Sequence, residues 1–292
     1  MIASPAMRIK ILCIAGPTAS GKSARAVEEA LARGGEIISV DSRQVYRRLD
    51  IGTEKITVAE MRGVPHHLIN IRDARESYSA GDFVADATRL IGEIAARGKL
   101  PILVGGTHFY FDALLRGLPA QVDANPQLRE ELEALPTIRL FARIREQDPR
   151  RAAELDPKNR RRLTRALEIV AARGFVPPRY PRDMPIGISR GYLVEWIVLD
   201  PPSAELRTRI NARLVNALER GLIEEVRRVR DEVGDICLNE FGLEYKIIGE
   251  CLAMSNTECL TLESLLPVLS AKLWRYARRQ KAWLRKLKVK DF

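Results

Sequence analysis

The residues GPTASGKS, Gly16 to Ser23, carry the most readable chemistry in this chain. They fill the pattern G-x-x-x-x-G-K-[S/T] directly after an apolar run, Ile9 to Ala15. Glycines in such a loop let the backbone curl until several N–H groups point inward, and the helix that follows adds its positive end. Gly16, Pro17, Thr18, Ala19, Ser20 and Gly21 therefore form a cradle for a diphosphate or polyphosphate. Lys22 adds a point charge, and the Ser23 hydroxyl suits a magnesium ion shared with the same phosphates. The motif identifies neither the ester nor its attacker, so kinase, nucleotide hydrolase and group transferase all stand open.

Other candidates converge on the same place. Asp41 directly follows the apolar run EIISV, so its carboxylate emerges at the end of a strand, either as a magnesium carboxylate or as the acceptor of a nucleophile's proton. Thr107, in GGTHFYFDALL, sits at the end of a further strand, as a crevice residue or as a helix N-cap. Arg209 and Arg213 are spaced four apart in RTRINARL, on one helix face, where they would clamp an anionic leaving group or be solvated. The histidines His66, His67 and His108 lack the carboxylate spacing of a zinc site, and His66 and His67 read as loop-packing residues. The cysteines Cys13, Cys237, Cys251 and Cys259 have no C-x-x-C spacing, so neither disulfides nor a cysteine-bound metal are expected.

The elements that must position these groups alternate. Ile9 to Ala15 reads as a strand, Lys22 to Arg33 as a helix closed by Gly34, and Glu36 to Val40 as a second strand. Gly81 to Arg97 has helical spacing and leads into the strand Pro101 to Gly106. A parallel sheet follows, with ligands at the carboxyl ends of its strands. Thr137 to Ala142 and Tyr192 to Leu199 also read as strands. Between them lies an arginine-rich region expected to be helical from Pro149 to Ala172, preceded by a helix over Pro126 to Leu135. The prolines of Pro177 to Pro185 mark a linker. After Asp200 a run of helices begins at the N-cap candidate Ser203 and is interrupted at Gly221 and Gly234. The expected fold class is α/β: a P-loop NTPase-like parallel sheet core with a helical insertion and a helical C-terminal region. The expected segments are 1–122 and 186–292 for the core and basic C-terminal helices, with the insertion at 123–185.

Composition narrows the partners. With 292 residues and 46% hydrophobic side chains the chain can bury a large core, and no run is long and apolar enough for a membrane span. A cytoplasmic location is expected, because the N-terminus lacks the apolar core of a signal peptide. The net charge of +10 is clustered: Arg160, Arg161, Arg162 and Arg165 form one group. Lys272, Arg275, Arg278, Arg279, Lys281, Arg285, Lys286, Lys288 and Lys290 form another, with no acid between Ser264 and Lys290. Two such clusters on a phosphate-binding chain point to a polyanionic partner, most simply nucleic acid. Trp274, Tyr276 and Trp283 interleave with the second cluster, which suits base stacking and core packing equally.

Taken together the motifs resemble the tRNA dimethylallyltransferases. GPTASGKS, ISVDSRQVYRRLDIGTEK, VPHHLINIRD, YSAGDF, LVGGTHFYFDALLRGLP, RRLTRALEI, RINARL with ERGLIEEV, and RYARRQKAWLRK occur in that family's order over nearly the whole chain. The resemblance implies transfer of a dimethylallyl group from dimethylallyl diphosphate to N6 of adenosine 37, in tRNAs reading codons that start with U. The phosphate loop would then hold the donor's diphosphate rather than ATP, with Lys22, Ser23 and Mg2+ gripping the leaving group. Asp41 matches the general base, Ser42, Arg43 and Gln44 match tRNA contacts nearby, and Thr107 matches a contact to the target nucleotide. Arg129 and the block Arg161, Arg162, Leu163, Thr164 and Arg165 match tRNA-binding positions, and Arg209 or Arg213 would neutralise the departing diphosphate. A monomer is implied, since tRNA must reach a channel through the core.

The chain departs from the family pattern where Glu244 stands in FGLEYK in place of a glycine, where Trp274 and Arg275 replace an Arg-Gln pair, and in a short connector after Gly174. These departures suit a divergent paralogue. Two further readings stay in play: an adenylate isopentenyltransferase using free adenine nucleotide, which needs neither basic cluster, and a P-loop nucleotide kinase or ATPase.

Overall fold

A computed structural model describes residues 8–118, 122, 125–178, 191–254 and 257–287. The linker expected at 177–185 and the lysines at 288 and 290 fall mostly or wholly outside them. The first elements are β1 (Ile9–Ala15), α1 (Lys22–Arg33), β2 (Gly35–Ser39), α2 (Val58–Met61), β3 (His66–His67), α3 (Ala80–Ala96), β4 (Leu100–Gly105) and α4 (His108–Arg116). Next come α5 (Pro126–Glu133), α6 (Thr137–Gln147), α7 (Pro149–Ala153) and α8 (Arg160–Arg173). Last are β5 (Tyr192–Val198), α9 (Ser203–Glu219), α10 (Leu222–Leu238), α11 (Leu243–Ala253) and α12 (Leu262–Leu284).

The strands form one parallel sheet in the order β3-β2-β4-β1-β5. Its central strands are apolar on both sides, as a sheet covered on both faces requires. Successive residues of β1 point to opposite faces: Ile11, Cys13 and Ala15 join the core built with α3 and the C-terminal helices, while Leu12 and Ile14 pack with Ala26, Val27 and Ala30 of α1. The histidines expected in a loop form the edge strand instead, His66 pairing with Ile37 and His67 with Ile38. Among the described residues no helix is long and apolar enough to cross a membrane.

The chain divides into two compact units, one of residues 1–116 with 185–292, the other of residues 117–184. The smaller unit is helical throughout its described part, which overturns the strand expected at Thr137 to Ala142. Ile138, Leu140, Ala142 and Ile144 alternate like a strand, yet Leu140 and Ile144 are fully buried while Ile138 is 76% exposed. One turn of helix separates the buried pair, so the burial follows the helical period and α6 results. The expected helix from Pro149 to Ala172 is likewise broken, between α7 and the N-cap Asn159 of α8. In the larger unit Ser203 is the first residue of α9 and Pro202 its cap, and Gly234, at φ 76°, bends α10.

Candidate active site

The loop between β1 and α1 is shaped by one close backbone approach and two left-handed residues. A Cβ on Gly16 would lie 2.4 Å from Ser20 Oγ and 2.9 Å from the Leu199 carbonyl. Ala19 (φ 61°) and Gly21 (φ 87°) both take the left-handed conformation that curls the loop into the N-terminus of α1. Lys22 folds back, its Nζ donating to the Pro17 carbonyl at 3.3 Å. Burial, strengthened by Arg213, lowers the Lys22 ammonium to about 8 against the opposing pull of Asp41. Ser23 lies in the first turn of α1 and lines the cavity in front of the loop.

That cavity, of about 520 Å³, brings together residues far apart in sequence: Thr18 to Ser23, Asp41, Gln44, Glu54, Arg213, Tyr276 and Gln280 all line it. Asp41 lies two residues beyond β2. Its Oδ1 accepts the N–H groups of Arg43 (2.8 Å) and Gln44 (3.3 Å), which fixes the turn, and its Oδ2 makes no hydrogen bond among the described residues. Thr107 stands directly beside it, its N–H on the Val40 carbonyl and its hydroxyl accepting Ser42 N–H at 3.2 Å. The Gln44 side chain is engaged internally, on Ser39 and on the Thr53 and Glu54 carbonyls.

The arginine pair of α9 reaches the phosphate loop. Arg209 donates to the Ser20 carbonyl at 3.4 Å and Arg213 to the Thr18 hydroxyl. Behind Arg213 stand Glu244 at 3.6 Å and Glu54 at 3.9 Å. Burial raises both carboxyls above their ordinary range while Arg213 opposes the shift. Glu244, the departure from the family pattern in FGLEYK, is buried and faces Arg213.

In the smaller unit the arginines divide. Arg129 and Arg165 both bond the buried carboxylate of Glu168, and Arg165 also donates to the Val122 carbonyl at 2.8 Å. Arg160 caps the end of α5 through the carbonyls of Leu132, Glu133 and Leu135. Leu163 is wholly buried in this unit's core, where it holds the helix in place. Arg161 and Arg162 are exposed, and Thr164 is half-buried.

Sequence reasoning did not assign Gln280 or Glu225 to the site, and it noted Tyr276 only as a stacking or packing aromatic. Gln280 and Tyr276 of α12 line the cavity, and Glu225 of α10 holds a loop beside it. The available signal was a polar residue on a buried stripe: Gln280 falls among the buried positions of α12 that also include Leu269, Leu273, Ala277 and Leu284. Trp274 packs under the Arg207 guanidinium at 4.5 Å, and Trp283 stacks on His108 with ring centroids 4.1 Å apart, so both aromatics bind the helix to the core. Burial and the nearby Lys22 charge push the His108 imidazole down to about 4, which keeps it neutral.

A family model described as IPP transferase matches residues 44–287. A tRNA dimethylallyltransferase of Thermomicrobium roseum is 41% identical over 96% of this chain and 85% of its own length. One from Anaeromyxobacter sp. is 42% identical over 95% of this chain and 92% of its own. Among solved structures, the tRNA isopentenylpyrophosphate transferase of Bacillus halodurans superposes with a TM-score of 0.68 at 39% identity, covering 95% of this chain and 87% of that one. A eukaryotic dimethylallyltransferase acting on tRNA superposes with a TM-score of 0.74 at 26% identity, covering 94% and 69%.

Proposed function

The chain belongs to the IPP transferase family, and from that premise we propose that it transfers the dimethylallyl group of dimethylallyl diphosphate to N6 of adenosine 37 in tRNA. The observation that carries this reading is the meeting of the phosphate loop, Arg213 and Asp41 in one cavity. In the reaction the allylic C–O bond breaks with its electron pair on the diphosphate, N6 forms the new C–N bond, and Asp41 takes the N6 proton. Negative charge grows on the leaving group at the transition state, so fixed loop N–H groups, Lys22, Arg209 and Arg213 act where they matter most. The free Oδ2 of Asp41 supplies the destination for the proton.

Magnesium fits this loop. Ser23 offers an oxygen donor at the loop, and among the described residues no group of three or more His, Cys, Asp and Glu could hold a metal by itself. That is the donor set of an ion held mainly by water and substrate phosphates. Bound with Ser23, magnesium would supply neutralisation of the diphosphate charge. The same reading makes the protein a monomer that works in the cytoplasm, with the cavity open to a partner as large as tRNA.

Radiolabelled dimethylallyl diphosphate, offered in parallel with an unmodified tRNA carrying adenosine at positions 36 to 38 and with free AMP, tests the reading. Label in tRNA alone is expected; label in AMP would support an adenylate isopentenyltransferase, and label in neither would defeat the assignment. Two finer outcomes follow from the site. Because Lys22 is charged below about pH 8 and neutral above it, kcat/KM for the donor falls as pH rises through that value. A flat profile to pH 9.5 would show that the ammonium is not needed. Changing the exposed Arg161 and Arg162 together to Ala weakens tRNA binding and flattens its salt dependence by about one unit of log–log slope per lost phosphate contact. An unchanged slope would place both residues in solvent in the complex.

A further inference from the structure

Gln280 is 4% exposed and makes two hydrogen bonds across long stretches of chain. Its Oε1 accepts Thr18 N–H at 2.8 Å, and its Nε2 donates to the Gly106 carbonyl at 2.9 Å. The orientation of the amide follows from its partners, since a backbone N–H only donates and a carbonyl only accepts. Thr18 lies in the phosphate loop, and Gly106 immediately precedes Thr107, whose hydroxyl holds the turn that carries Asp41. One side chain thus spans the half of the cavity that grips phosphate and the half that carries the proton acceptor.

The surroundings fix that span. A Cβ on Gly106 would lie 2.7 Å from Gln280 Nε2 and 3.7 Å from Lys22 Nζ, so the strand end is bare where the amide crosses it. Immediately after Gln280, α12 is anchored independently. Lys281 Nζ bonds the Pro201 carbonyl at 2.7 Å and Asp200 at 2.6 Å beyond β5, and Trp283 Nε1 donates to Asp112 of α4 at 2.9 Å. The backbone of α12 is therefore a fixed post, and the amide is the arm that reaches both halves of the site.

We propose that Gln280 is a positioning residue that sets the separation between the diphosphate cradle and the Asp41–Thr107 turn, and so the approach of the acceptor nitrogen to the allylic carbon. The proposal rests on the transferase reading above. A gap between reacting atoms affects the chemical step far more than it affects binding of either partner, and a misplacement near 1 Å costs about 100-fold in rate.

The test uses Gln280→Met, which keeps the side chain's length and apolar packing and removes both hydrogen bonds, with Gln280→Glu as a second variant that keeps the acceptor for Thr18 N–H and loses the donor to Gly106. Inorganic pyrophosphate is titrated calorimetrically without tRNA, giving affinity and the fraction of competent sites. Single-turnover transfer and the tRNA KM are measured on the same preparations. The expected result is a fall of about 10- to 100-fold in the transfer rate for both variants, with pyrophosphate affinity, stoichiometry and tRNA KM each within about threefold of the unaltered chain. A raised tRNA KM at an unchanged rate would overturn the proposal by making Gln280 a nucleic-acid contact. A loss of pyrophosphate stoichiometry equal to the loss of rate would overturn it by making the amide a general prop. Rates equal to the unaltered chain would defeat the proposal alone, whereas no transfer by the unaltered chain would defeat the transferase reading and the proposal with it.

Discussion

Asp41→Asn lowers the single-turnover rate by about 100- to 10,000-fold and leaves tRNA affinity within about threefold of the unaltered chain. The asparagine keeps Oδ1, which accepts the N–H groups of Arg43 and Gln44, so the turn that presents Ser42 and Arg43 keeps its form. What it lacks is a second oxygen able to take a proton. Asp41→Ala removes both functions, and the difference between the two variants isolates the loop-organising part. Single-turnover label transfer and filter binding of tRNA are the measurements. A rate for Asp41→Asn within tenfold of the unaltered chain would reassign Asp41 to shaping the turn, and equal losses of rate and tRNA affinity would make it a binding residue.

The parts of this site that could be read from the sequence are those whose chemistry is local. GPTASGKS needs only its neighbours to form a cradle, and the structure places its helix over Lys22 to Arg33 as the spacing requires. Asp41 and Thr107 were legible because strand ends in a parallel sheet all open on one edge. Charge was a poorer guide. In the arginine-rich block, Arg129 and Arg165 neutralise a buried Glu168 and Arg160 closes a helix end, which leaves Arg161 and Arg162 facing outward. A count of arginines cannot separate these roles, because the carboxylate that decides between them lies 39 residues from Arg129. The strand expected at Thr137 to Ala142 failed for a related reason: its alternation was real, and tertiary packing chose the other periodicity. Gln280 and Glu225 were invisible because their partners lie 262 and up to 175 residues away.

Glu225 shows how much such a distant contact can hold. It is 2% exposed, and its Oε2 accepts the N–H groups of Asp50 and Ile51 while Oε1 accepts that of Gly52, each at 2.9 Å. Tyr245 donates its hydroxyl to Oε1 at 2.7 Å. Burial, with the adjacent carboxylate, pushes the phenol's pKa up, so it remains a donor throughout the working range. The ring packs so closely that a Cβ on Gly52 would lie 2.6 Å from Tyr245 Cε2. The anchored loop then delivers Thr53, Glu54 and Lys55 to the cavity wall, with Glu54 facing Arg213. Glu225→Ala strands the buried Tyr245 hydroxyl and three partly buried backbone N–H groups, at up to about 1–3 kcal/mol each before water or local shifts relieve them, so a net loss of about 4 kcal/mol is expected. In a unit of this size that lowers Tm by roughly 8–16 °C. Glu225→Gln keeps the shape but turns an NH2 toward one of the donors, and falls between the two. Thermal denaturation followed by circular dichroism, together with pyrophosphate titration at 20 °C, checks both levels. Glu225→Ala should also weaken pyrophosphate binding, because Glu54 no longer steadies Arg213 against Thr18. A Tm within 2 °C of the unaltered chain would mean that Lys55, through Tyr46, Asp50 and Asn70, holds the loop without the carboxylate.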